Sequence, residues 1–144
     1  MPGADGTEPI DDAEFLYRRV PDSQRWYDPK THPQLSPEAF RPQRHDLTGI
    51  SLYRDRYKAI EDAAKGREGK RYYVAVLRAG DLRAGGIEVV PRPCENDPGH
   101  VEIPGLNYEA RKTQQVREWK VRLAHNLTLE VRGPFPPSEC LACN

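Results

Sequence analysis

The sequence predicts an α+β fold: a mixed, largely antiparallel sheet of about five strands with one main helix packed on it. Three observations predict it. Residues 70–93, KRYYVAVLRAGDLRAGGIEVVPRP, are the only long apolar stretch and read as strand, short connector, strand. Residues 108–123 carry Val116, Trp119 and Leu123 at helical spacing, the inner stripe of an amphipathic helix. Short alternating segments at 14–20, 49–53 and 127–131 supply the remaining strands.

Taken in order, residues 1–12 are acidic and polar and read as a disordered tail. Residues 14–20, EFLYRRV, alternate as an opening strand that Pro21 ends. Pro21, Pro29, Pro33, Pro37 and Pro42 then recur too closely for a long helix, so 21–46 is an irregular loop. Ser36 and Pro37 suit the cap and first position of one short helical turn. Trp26, Tyr27 and Phe40 argue that the loop is ordered, because large aromatics are unusual in disordered chain.

Residues 49–53, GISLY, predict a second strand, and Asp55 a cap for a helix over 56–64 that Gly66 ends. Residues 71–77 are apolar on both faces and belong at the centre of the sheet. A single turn over 79–82 precedes a strand over 87–90 that Pro91 stops, and His100 to Ile103 make a further short strand. The helix and last strand follow, and 133–144 reads as a C-terminal tail, leaving 13–132 as one domain.

Composition narrows the function. Lys plus Arg and Asp plus Glu balance at 22 each, so no global field draws the chain to nucleic acid or to an anionic membrane, and any such binding needs a local patch. No run has the length of a membrane span and the N-terminus has no apolar signal region, which leads to an expectation of a cytoplasmic protein without membrane contact. Three cysteines, an odd number, are not a secreted disulfide framework.

Cys140 and Cys143 have the bite of a metal or redox pair, and Cys94 with His100 could complete four ligands. The Cys94–His100 spacing is poor, however, and the terminal pair lacks a following helix, so ordinary thiols and no metal are expected. His32, His45, His100 and His125 show no HExxH spacing, although His100 could act as a loop acid–base group. Gly80, Gly85 and Gly86 follow a strand without the lysine-serine ending of a phosphate loop. The predicted helix is rich in base: Arg111, Lys112, Arg117, Lys120 and Arg122 stand against Glu109 and Glu118 and could hold phosphates.

Arg18 on the opening strand, the 49–53 strand with Ser51 and Tyr53, and Glu88 in GGIEVVP give residues 14–91 a resemblance to small ADP-ribosyltransferase-like domains, including the bacterial RES type. The resemblance implies NAD as cofactor. It implies Arg18 holding NAD phosphates, Ser51 or Tyr53 lining the nicotinamide pocket, and Glu88 binding the ribose. An oriented carboxylate is what the oxocarbenium-like centre of N-glycosidic cleavage needs.

Two classes of function are therefore expected. The first is a binding module without a cofactor. Trp26, Tyr27 and Phe40 of its Pro-rich loop, with Arg111 and Lys112 of its basic helix, would contact a protein or nucleic-acid partner. The second is an NAD-using ADP-ribosyltransferase-like enzyme with Arg18, Tyr53 and Glu88 as its catalytic residues.

Overall fold

A computed structural model of the chain describes residues 5–30 and 35–137. The segment with the strongest strand pattern forms β3 (Tyr72–Arg78), buried along almost its whole length because it is covered on both faces. Tyr73, Ala75 and Leu77 join the main core, while Tyr72, Val74 and Val76 form a second apolar cluster on the opposite face with Ile60 and Ala64.

The opening segment forms β1 (Phe15–Pro21), paired with β3 along its full length. The strand β2 (Ile50–Arg54) carries the second alternating segment, and α1 (Ile60–Ala63) and α2 (Ala79–Ala84) are short helices flanking β3. Beyond them come β4 (Val90–Pro91), β5 (His100–Ile103), α3 (Gln114–Arg122) and β6 (Glu130–Phe135). The sheet order is β4-β5-β2-β1-β3-β6 and every ladder is antiparallel, so the α+β architecture holds with six strands rather than five.

Several boundaries differ from the sequence reading for identifiable reasons. The helix expected over 108–123 begins only after Thr113, whose Oγ1 accepts from the Val116 N–H at 3.2 Å. Upstream, Asn107 Oδ1 accepts from the Ala110 N–H at 2.9 Å and holds that segment in a turn. Val116 and Leu123 are buried as expected, and Trp119 packs across Gly105, where an added Cβ would lie 2.3 Å from the indole. The helix then widens into a π-helical turn, Leu123–Leu127, so the last strand starts later and runs to Phe135.

The helix expected over 56–64 shrinks to α1, because the Tyr57 and Lys58 N–H groups close a separate turn on Arg54 O and Ala59 is extended, with ψ 154°, so the helix starts only at Ile60. Likewise the Ile87 N–H closes α2 on Leu82 O at 2.9 Å, and the strand expected over 87–90 is reduced to the two residues of β4.

The N-terminal tail expected over 1–12 is, across its described residues, part of the domain. Ile10 lies in the main core, and the buried Arg54 side chain secures the segment. Its Nε and Nη2 donate to Glu14 Oε1 and Oε2, both at 2.8 Å; Nη1 donates to the carbonyls of Gly6 and Glu8, and Nη2 to that of Pro9. All five guanidinium protons thus have acceptors, which is what a fully buried arginine requires. No helix among the described residues is long and apolar enough to cross a membrane.

Candidate functional site

The sheet is two half-sheets that meet briefly. Strand β2 pairs with β5 over four residues and β1 with β3 over seven, yet β1 and β2 pair with each other only at Leu16↔Arg54 and Tyr17↔Tyr53. Beyond that point they part. Arg18 enters the gap: its Nη1 donates to Ser51 O at 3.0 Å and its Nε to Ala39 O at 2.9 Å, linking β1 to β2 and to the 3₁₀ turn Pro37–Phe40. Burial pushes the Arg18 pKa down to about 10, with the Asp46 carboxylate acting in the opposite sense.

A cavity of about 710 Å³ opens at this gap, and Arg18, Ser51 and Tyr53 all line it. Trp26, His45 and Asp46 reach it from the Pro-rich loop, and Lys65, Arg67 and Lys70 from the connection between α1 and β3. Asp46 is the one carboxylate among these described lining residues. The Arg19 guanidinium lies over the Tyr53 and Tyr72 rings, 5.5 and 5.6 Å from their centroids, and donates to Lys65 O and to Tyr53 Oη. Gly66 makes this packing possible: a Cβ there would stand 2.5 Å from the Tyr72 ring, whose hydroxyl accepts from the Arg67 N–H at 2.9 Å.

Behind Ser51 stands a histidine. Ser51 Oγ lies 2.8 Å from His100 Nε2, and His100 Nδ1 lies 2.8 Å from Arg92 O. A carbonyl only accepts, so Nδ1 carries the proton in the neutral ring, Nε2 is the acceptor, and the Ser51 hydroxyl donates to it. Cys94 Sγ sits 3.8 Å from the same Nδ1. Cys140, Cys143 and His32 lie outside the described residues.

The carboxylates fall differently from the sequence reading. Glu88 is exposed, precedes β4 on the outer edge of the sheet, two strands away from β2, and does not line the cavity. Glu102 on β5 stands directly opposite Ser51, and its Oε1 accepts from Thr48 Oγ1 at 2.7 Å and from Arg92 Nε at 3.3 Å. Only the pairing register brings positions 51 and 102 together, so the sequence offered no signal for it.

The loop and helix residues divide. Phe40 is fully buried in the core and offers no surface to a partner. Tyr27 packs edge-on to Tyr73, with centroids 4.8 Å apart, and Trp26 leans on the core while lining the cleft. Of the helix bases, Lys120 binds Glu38 at 3.0 Å and Arg122 binds Gly85 O at 2.7 Å. Arg111 and Lys112 precede α3 and line a second, smaller groove with Arg41 and Arg44. No family model, no curated protein and no solved structure matches this chain.

Proposed function

We propose that the chain binds NAD in the cleft between β1 and β2 and breaks its N-glycosidic bond, as an ADP-ribosyltransferase-like enzyme. The observation that carries this reading is the convergence of Arg18, Ser51 and Tyr53, from two separate strands, on one cavity where those strands part. Its volume of about 710 Å³ suits a small-molecule ligand. Arg18, Lys65, Arg67 and Lys70 supply charge for a pyrophosphate, and Trp26 and Tyr53 supply faces for the rings.

In this reading Glu102, rather than Glu88, is the carboxylate assigned to the ribose: neither lines the cavity itself, but Glu102 stands opposite Ser51 on the adjoining strand and Glu88 is two strands away from β2. The C1′–N bond breaks and its electron pair leaves with the nicotinamide nitrogen. The carboxylate stabilises the oxocarbenium-like ribose. Water or an acceptor hydroxyl then bonds to C1′, and its proton passes to Ser51 Oγ as the Ser51 proton moves to His100 Nε2.

The test is release of nicotinamide by the native chain, Glu102→Gln and Glu88→Gln. The native protein is expected to consume NAD, Glu102→Gln to fall about 10²-fold or more, and Glu88→Gln to match the native rate. A native protein that neither consumes NAD nor binds it in calorimetry ends the proposal. The opposite ranking of the two variants returns the carboxylate role to Glu88.

A further inference from the structure

Beside the cleft lies a groove of about 460 Å³ with walls from two distant parts of the chain. Arg41 and Arg44 stand on one wall, Tyr108, Arg111 and Lys112 on the other, and no carboxylate is among its described lining residues. The walls are tied together by the Tyr108 N–H, which donates to Asp46 O at 2.9 Å. In a chain whose charges balance, four cations around one concavity are a concentration and not a background.

Solvated surface charge is the ordinary fate of lysine and arginine, so charge alone would carry little. Three further features add to it. First, Arg44 and Lys112 make no ion pair among the described residues, while Arg41 shares Glu38 with Lys120. Second, the Arg111 guanidinium stacks 3.9 Å from the Tyr108 ring centroid and donates to Tyr108 O at 2.9 Å, a fixed aromatic–cation plane at the groove wall. Third, Gln43 lines both the groove and the cleft, so the cations of the groove adjoin, across that side chain, the cavity lined by the exposed Lys65, Arg67 and Lys70.

We propose that this groove binds the phosphates of a single-stranded nucleic acid, leading the strand toward the cleft. Guanidinium forks suit phosphate oxygens, and three of the four cations are arginines. Acidic peptides satisfy the charge but leave the stacked plane unused, whereas a base beside each phosphate uses both. A recessed groove also admits an unpaired strand more readily than a stiff duplex. The proposal stands on the groove alone, and its test contains no NAD, so the two readings fail separately.

The experiment is fluorescence anisotropy with a labelled single strand of about twelve nucleotides, as DNA and as RNA, between about 20 and 200 mM salt. The comparison sets the native chain against Arg44→Ala/Lys112→Ala, both exposed, and against Arg56→Ala/Arg132→Ala, which lines neither depression. Melting curves check that each variant folds. The native chain should bind with a steep salt dependence. The groove variant should bind about tenfold more weakly at low salt and lose about 1.4 from the log–log slope, about 0.7 per phosphate contact of a single strand. The control variant should match the native chain. Three outcomes overturn the proposal: no binding at the lowest salt, equal losses in the two double variants, or tighter binding of the same sequence as duplex. Displacement of the strand by an equal phosphate concentration of free mononucleotide would assign the groove to a small nucleotide instead.

Discussion

His100 Nε2 lies 2.8 Å from Ser51 Oγ, and this contact joins the interior of the sheet to the wall of the cleft. Because the opposite ring nitrogen faces the Arg92 carbonyl, the neutral imidazole has one tautomer that satisfies both neighbours. Long-range proton–nitrogen NMR is expected to find the proton of the neutral ring on Nδ1. A proton on Nε2 would mean that Ser51 accepts rather than donates, and the proposed proton path would be wrong. Arg92→Ala keeps this carbonyl and should leave the tautomer unchanged.

Removing the hydroxyl tests the same contact from the other side. Ser51→Ala is expected to lower kcat with NAD about 10²-fold, the scale of a lost proton relay, and to raise KM about tenfold, the weight of roughly one hydrogen bond. The urea midpoint should move little, since Ser51 Oγ is at the wall of the cleft and its backbone pairing is retained. An unchanged KM would remove Ser51 from the ligand site.

Arg18 should tolerate no shorter fork. Arg18→Lys cannot reach Ser51 O and Ala39 O with the same planar geometry, so one buried carbonyl loses its donor. The expected loss is about 2 kcal/mol in urea denaturation with an unchanged m-value. A variant as stable as the native chain would show that the gap between β1 and β2 does not depend on this bridge.

The Arg54–Glu14 pair gives the fold a defined acid sensitivity. Burial works to raise the Glu14 pKa, but the Arg54 hydrogen bonds and charge outweigh it and hold the carboxyl below its ordinary value of 4.5. A depressed carboxylate contributes stability that is fully present above about pH 4.5 and is lost as pH falls through the lower folded value. Glu14→Gln should therefore cost about 3 kcal/mol at pH 7, with the gap to the native chain closing in that acid window. Asp55, whose pKa burial raises, titrates with the opposite sign, and comparing variant with native chain largely cancels its contribution. A gap that stays constant with pH would mean that the Glu14 charge is not what Arg54 needs.

Gly105 tests the seat of α3. With 2.3 Å between an added Cβ and the Trp119 ring, Gly105→Ala must displace the indole. The expected cost is about 1–3 kcal/mol, with a shift in tryptophan emission; an unchanged spectrum and midpoint would show that the helix rides loosely on the 104–108 turn.

What could be read in advance follows the range of the interactions. The strand around Leu16 announced itself through alternation and the one around Val74 as a run apolar on both faces, both properties of consecutive residues. The cap of Ser36 and Pro37 was equally local, and Glu38 N donates to Ser36 Oγ as that pattern implies. Arg54 was invisible as a core residue, because a charged side chain ending a strand is usually solvated; only its partners in residues 6–14 make its burial possible. Glu102 and the basic groove were hidden for the same reason. Ser51 meets Glu102 through strand register, and Arg44 meets Lys112 through folding of segments more than sixty residues apart. Glu88 drew notice through its strand-like surroundings, yet the Ile87 N–H was already taken by α2.

An open sheet normally has two unpaired borders, one at each side. Where β1 and β2 separate, this one acquires two more in its middle, spanned at the Ser51 carbonyl by the Arg18 side chain instead of by a strand. A guest lodged between them would meet, beside side chains, peptide groups that every amino acid shares. Evolution could then change many side chains around such a fissure without erasing its grip, so long as the strands stay apart.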